Sequence, residues 1–287
     1  MKLSVLCITY NHELFIEEAI NSFLMQQCNF DFEIVIGEDK STDRTAEICE
    51  KYEKLYPGKI KLVCNETNIG MMPNFIKTFH RCEGTYIALC EGDDYWLDPF
   101  KLQKQVDFLE ENPEYSFTCH NFYEIRNNGG KELVESVNNL SFSPTEKGRT
   151  FSSYQWAQPL TVVFRKVCLN ISVFDRYKHA RDIYMFYHLF SEGKLYFFNF
   201  IGGVYRLHLG GVSSMKSWEE QLLVNYNIYG ELLHFFPNID RSKFFYPAKY
   251  FLIKKIKREK GISNPFKWKD IINVSLLDFV IYFFKKN

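Results

Sequence analysis

No glycine occurs before Gly37 in this 287-residue chain. The turn after its first apolar run therefore holds neither a G-x-G-x-x-G fingerprint nor a P-loop to cradle phosphate on backbone amides. The eight cysteines, at 7, 28, 49, 64, 82, 90, 119 and 168, include no C-x-x-C pair, which removes the usual zinc and dithiol spacings. Cys7 and Cys90 fall inside apolar runs, as reduced core thiols do, and imply a cytosolic compartment. Long hydrophobic runs are missing too. VSLLDFVIYFF, the longest late one, has 11 residues with Asp278 inside it, against the ~20 needed to cross a bilayer; an in-plane helix stays open. The N-terminal run is broken by TYN and is too short for a signal peptide. Net charge is also absent, with 35 basic and 35 acidic residues, and no nucleic-acid partner is expected.

That zero hides an asymmetry. Residues 240–287 carry twelve Lys and Arg against four Asp and Glu, a surplus of +8, which leaves −8 for residues 1–239. Two readings of the tail stand side by side. It lies on anionic lipid at the inner face of the cell membrane, each cation contributing about 1 kcal/mol there, or it is a helical subdomain with a solvated face. Aromatics make up 17% of the chain and hydrophobic residues 46%, which describes a globular protein with material for ring-lined surfaces.

The first 125 residues alternate between two periods. LSVLCIT, FEIVI, IKLVC and TYIALC are apolar runs of strand length. Between them Phe15, Ile16, Ala19, Ile20, Phe23 and Leu24 recur at helical spacing, and STDRTAEICEKY and PNFIKTFHRC follow the same rule. Ser41 or Asp43 is expected to cap the second helix, Pro73 to open the third, and Asp98 and Pro99 to supply the cap and first position of the fourth. YSFTCHNFYEI reads as a fifth strand. Residues 126–150 read as a long loop or irregular insertion. PLTVVFRK, KLYFFNFI and GVYRLH read as further strands, DIYMFYHLF as a helix start, and the chain from Trp218 onward as helical. The fold class is α/β, a mainly parallel sheet flanked by helices on both faces, with a helical C-terminal extension. The expected domains are 1–215, divided into 1–125 and 126–215, and 216–287.

In such sheets ligands collect at the carboxyl ends of the strands. The polar residues gather there: Thr9, Tyr10 and Asn11 after the first strand, Glu38 and Asp39 after the second, NETNIG after the third, and Glu91, Asp93 and Asp94 after the fourth. Three carboxylates within four residues repel one another unless something positive sits among them. A solvated acidic turn explains one such end; four converging ends indicate a site. A divalent cation held by EGDD would supply the positive charge that the missing glycine loop cannot. Mg2+ and Mn2+ take oxygen ligands from one or two carboxylates plus substrate phosphates, and Glu91 and Asp93, two apart, can point to one side.

SVLCITYNHELFIEEAINSFLMQQ, FEIVIGEDKSTDRT, NIGMMPNF and GTYIALCEGDDYWLDPFKLQKQV resemble, in order and spacing, the successive signatures of the family 2 glycosyltransferases. The likeness spans roughly residues 3–213. It implies a GT-A fold, a nucleotide-diphosphate sugar donor, commonly a UDP-sugar, a saccharide or lipid-linked acceptor, Mn2+ or Mg2+ as cofactor, and inversion at the anomeric carbon, in cell-surface polysaccharide biosynthesis. By position it also implies roles. Thr9, Tyr10, Asn11 and Asp39 hold the nucleoside, Asp39 accepting from a base N–H. Asp94 is the direct metal ligand and Asp93 lies nearer the ribose, with Glu91, where an Asp is frequent, a secondary ligand. Asp182 is the general base, preceded by Arg181 where the family often has Glu; as a residue at a helix start it also reads as an ordinary N-cap. Arg206 and His208, two apart on a strand, reach the diphosphate or the metal, and Trp96 stacks on a sugar or packs. A sugar nucleotidyltransferase is the alternative enzyme, disfavoured by the missing Gly-rich loop, and a non-catalytic nucleotide-sugar-binding protein is the other alternative.

Overall fold

The structure is a computed structural model that describes residues 1–127, 131–135, 149–151, 157–176, 182–208, 211, 228 and 231. The chain divides into two compact units, Met1–Met215 and Lys216–Asn287. In the second, Ile228 and Glu231 are described and are helical; the rest of the expected extension, and the basic tail with it, lies outside the described residues.

The first unit begins with strict alternation: β1 (Leu3–Thr9), α1 (Ile16–Leu24), β2 (Phe32–Glu38), α2 (Thr45–Leu55), β3 (Ile60–Cys64), α3 (Met71–Arg81) and β4 (Tyr86–Leu89). Then come β5 (Tyr95–Trp96), α4 (Lys101–Glu111), β6 (Tyr115–Asn127), β7 (Lys131–Glu135), β8 (Arg149–Phe151), β9 (Val163–Arg165), α5 (Asp182–Glu192) and β10 (Lys194–Leu207). The sheet runs β3-β2-β1-β4-β9-β6-β10-β5, with β7 beside β6 and β8 beside β10. Its first four strands are mutually parallel. β9 is antiparallel to both β4 and β6, and β6 and β10 are again parallel.

The period-2 pattern of β1 sorts its side chains between two layers. Leu3, Val5 and Cys7 join Ile16, Ala19, Ile20 and Phe23 of α1, Cys49 and Tyr52 of α2, and Leu102, Val106 and Leu109 of α4 in one core. Each such large side chain contributes about 1.5–3 kcal/mol on full burial. Phe75 and Phe79 of α3 form a second aromatic layer, with Phe174 at 6.4 Å from Phe75 and Phe164 stacked at 6.5 Å on Phe79.

Several local expectations differ from the structure. α3 starts at Met71, so Pro73 sits in its first turn rather than opening it. Arg44 occupies the cap position of α2, with Asp43 Oδ1 accepting from the Thr45 amide at 2.9 Å. In PLTVVFRK, Pro159–Thr161 is a 3-10 turn and the strand is confined to Val163–Arg165. α4 starts at Lys101 rather than Pro99; Asp98 Oδ1 accepts from the Phe100 amide at 2.9 Å, so the Asp-Pro pair builds the turn before the helix. Segment 126–150 contributes the end of β6, all of β7 and the start of β8. KLYFFNFI and GVYRLH are one strand, β10, which crosses Gly202 and Gly203 through shifts in its register with β6.

Candidate active site

The carboxyl ends of β1, β2 and β4 open into one cavity of about 330 Å³, shared with α5 and the end of β10. Thr9, Tyr10, His12, Asp39, Glu91, Asp93, Asp182 and Arg206 line its polar side, and Met71, Met72, Phe75 and Met185 its apolar side. The acidic turn is pressed onto the end of β1. The Gly92 amide donates to Ile8 O at 3.0 Å, and a Cβ at Gly92 would stand 2.6 Å from Thr9 Oγ1, so only glycine permits this approach.

Asp93 faces the cavity with two histidines against it. His208 Nε2 lies 3.0 Å from Asp93 Oδ2 and His12 Nε2 3.7 Å from the same oxygen. Burial alone would raise the Asp93 pKa; the His208 hydrogen bond and the nearness of His12 outweigh it and hold the group below the usual carboxylate range. Asp94 is 1% exposed, lies outside the cavity lining, and accepts from the Arg206 amide at 2.9 Å. Burial, then Asp93, then Glu91 push its pKa well up. Glu91 is raised to about 8 by burial, Asp93 and Asp182. Asp93 Oδ1 and Asp94 Oδ2 are buried with no hydrogen-bond partner among the described residues.

Arg206 locks the two halves of the unit around this turn. Its guanidinium donates to Asp93 O at 2.6 Å and pairs with Glu18, over the ring of Tyr95 at 4.3 Å. Asp39, 3% exposed, accepts from Asn65 Nδ2 and the Ile69 amide on Oδ1, both at 2.9 Å, and from the Gly70 amide on Oδ2 at 2.8 Å. Gly70 has φ 89°, a left-handed turn that presents its amide to this carboxylate. Asp39 thus lines the cavity and also ties down the 65–70 loop.

The sequence profile described as "Glycosyl transferase family 2" matches residues 4–170. The chain belongs to this glycosyltransferase family. "Uncharacterized protein Rv1520" of Mycobacterium tuberculosis is 33% identical over 234 residues, covering 76% of this chain and 64% of that protein; the chain thus spans less than two thirds of that relative. "Putative glycosyltransferase EpsE" of Bacillus subtilis is 37% identical over 114 residues, 40% of each chain. Among solved structures, Staphylococcus aureus TarS 1-349 in complex with UDP-GlcNAc superposes with a TM-score of 0.61 at 21% identity, covering 97% of this chain and 78% of that one. That likeness shows a shared GT-A glycosyltransferase fold.

Within this glycosyltransferase fold, Thr9, Tyr10, Asp39, Glu91, Asp93, Asp182 and Arg206 meet on one cavity. Asp182 begins α5, its Oδ1 accepting from the Ile183 amide at 2.9 Å. Asn11 stands apart. It adopts φ 56°, and its Oδ1 accepts from the Thr42 amide at 2.8 Å, clipping the β2–α2 loop. Asp93 lines the cavity and Asp94 does not, while Glu91, Asp93 and Asp94 each offer a carboxylate oxygen within 4.8 Å of the other two, a grouping that could hold a metal ion. Trp96 packs: it is 1% exposed and its Nε1 donates to Leu160 O at 2.8 Å. Arg181 lies outside the described residues. Sequence reasoning missed His12 and Glu18, whose roles depend on partners on β10. Only the position of His12, directly after TYN, marked it.

Proposed function

We propose that this chain is a divalent-metal-dependent, inverting glycosyltransferase that moves a sugar from a nucleotide diphosphate, UDP in the first instance, to a hydroxyl of a saccharide or lipid-linked acceptor in surface polysaccharide assembly. One observation carries the reading: Asp182 and the Asp93–Arg206 wall border the same cavity. The name of EpsE supports the reaction class, and the UDP-GlcNAc held in the TarS structure supports the donor class.

In this reading Asp182 accepts the proton of the acceptor hydroxyl as its oxygen attacks the anomeric carbon. The bond from that carbon to the diphosphate breaks on the opposite face, which inverts the centre. Tyr10, 39% exposed at the rim, and Asp39 flank the nucleoside. The two buried, unpartnered oxygens of Asp93 and Asp94 fit a hard cation; when bound, Mn2+ or Mg2+ neutralises charge on the departing diphosphate. Asp93 is the ligand on the cavity wall, while Asp94 holds the end of β10. No helix among the described residues is long and apolar enough to cross a membrane. The +8 charge of residues 240–287 supports contact with anionic lipid on the cytoplasmic side, where a lipid-linked acceptor would be met.

Calorimetric titration of UDP-, GDP- and TDP-sugars with and without Mn2+, alongside an acceptor assay, tests this. Metal-dependent binding of one donor is expected. Asp182→Asn should keep that binding while turnover falls about 10²–10⁴-fold, the range of a lost general base. Donor binding in wild type with neither transfer nor donor hydrolysis would leave a nucleotide-sugar-binding protein, and metal-independent binding would remove the cation from the mechanism.

A further inference from the structure

The geometry points to His12 as a third protein donor to the cation, so that Asp93, His208 and His12 form a mixed imidazole–carboxylate site selective for Mn2+ and later transition ions over Mg2+. This rests on the reading that a divalent cation binds at Asp93. His12 is held on three sides. Its amide donates to Thr45 Oγ1 at 2.8 Å, its carbonyl accepts from the amides of Phe15 and Ile16, both at 2.9 Å, and its Nδ1 is 3.2 Å from Thr9 Oγ1. The left-handed turn at Asn11 brings the ring back over the end of β1. With Nδ1 engaged, Nε2 is the nitrogen turned toward Asp93.

That nitrogen is 3.7 Å from Asp93 Oδ2, too far for a hydrogen bond. The spacing is close to that of two donors on one ion, since ligands each about 2.1 Å from a shared metal stand about 3–3.5 Å apart. His12, Asp93 and His208 each offer an atom within 4.8 Å of the other two, and Asp93 Oδ1 is buried without a hydrogen-bond partner among the described residues. A second-sphere carboxylate or carbonyl normally fixes the far nitrogen of a ligating histidine; here the Thr9 hydroxyl takes that place. Imidazole donors favour the transition ions, whereas Mg2+ prefers an all-oxygen, octahedral shell.

Electron spin-echo spectroscopy of Mn2+ bound to the full chain, with UDP present, counts the coordinated nitrogens directly. Wild type should show two imidazole couplings, and His12→Gln and His208→Gln one each. Mn2+ affinity should fall at least tenfold in His12→Gln, as for perturbed metal shells generally, and Mg2+ affinity by less, so that the Mn2+/Mg2+ preference narrows. One nitrogen in wild type, or a preference unmoved in His12→Gln, overturns the role of His12 while the cation at Asp93 stands. No Mn2+ bound by wild type, even with UDP, overturns the cation reading beneath it. The wild-type count decides the matter alone should His12→Gln fail to fold.

Discussion

Lys101 is completely buried, with its Nζ donating to Gln105 Oε1 at 2.8 Å and lying 4.3 Å from the Trp96 ring. No acid forms a salt bridge with it among the described residues. Burial lowers its pKa from 10.5 to about 7. Between those values the unfolded chain binds a proton that the folded chain does not, so this group makes stability rise with pH across the window. At pH 7 the mismatch costs about 4 kcal/mol of folding free energy, and it fades at about 1.4 kcal/mol per pH unit toward pH 10. Other groups pull the opposite way: Glu91, raised to about 8, below that pH, and buried thiols such as Cys28 and Cys82, raised to about 11 and 12, above pH 9. The useful quantity is therefore the difference between wild type and Lys101→Met, in which groups not coupled to Lys101, such as Glu91 and Cys82, cancel, while Cys28, which Lys101 does influence, titrates above the range measured. Urea denaturation at pH 7, 8 and 9 should show the Met variant ahead by an amount that shrinks by about 1.4 kcal/mol per unit. A difference independent of pH would refute the buried, proton-shedding lysine.

Gly92→Ala places a methyl group 2.6 Å from Thr9 Oγ1 and 2.9 Å from Ile16 Cδ1. Overpacking of about 1–3 kcal/mol should lower the melting temperature by several degrees and weaken nucleotide binding, because Glu91 and Asp93 move with the turn; unchanged calorimetry and scanning calorimetry would speak against the close approach. Asp39→Asn replaces a carboxylate that accepts three hydrogen bonds from the 65–70 loop. Hydrogen exchange at the Ile69 and Gly70 amides should quicken roughly ten- to hundredfold, from about 1.5–3 kcal/mol per charged hydrogen bond. Unaltered protection would show that the loop is ordered by other contacts.

The parallel half of the sheet was legible because β1, β2 and β4 are apolar runs buried on both faces, a pattern that admits few alternatives. β10 was read as two strands because two adjacent glycines look like a break. In the fold they make room: a Cβ at Gly202 would meet the buried His120 ring at 2.6 Å, a requirement set by a strand far away in sequence. The sequence alone sets the start of α4 too early for a similar reason. Asp-Pro is a good helix opening taken locally, but the Gln26 side chain bonds Asp98 O at 2.9 Å and fixes these residues as a turn against α1. Within the site, residues grouped by strand ends were legible as a set. Which of Asp93 and Asp94 lines the cavity was not, since adjacent carboxylates on a turn point apart and the Arg206 amide of β10 engages Asp94.

The bond from the Arg206 amide to Asp94 and the contact between His208 and Asp93 join the fourth strand to the last one. Neither acid acquires these neighbours while the chain is still being assembled from its N-terminal end; β10 has to dock beside β6 first. On the proposed cation reading, ion uptake at this turn would then be a late event, a gauge of completed assembly. A ribosome-bound or proteolytic fragment ending before β10 should carry the acidic turn yet respond to Mn2+ as an ordinary string of surface acids.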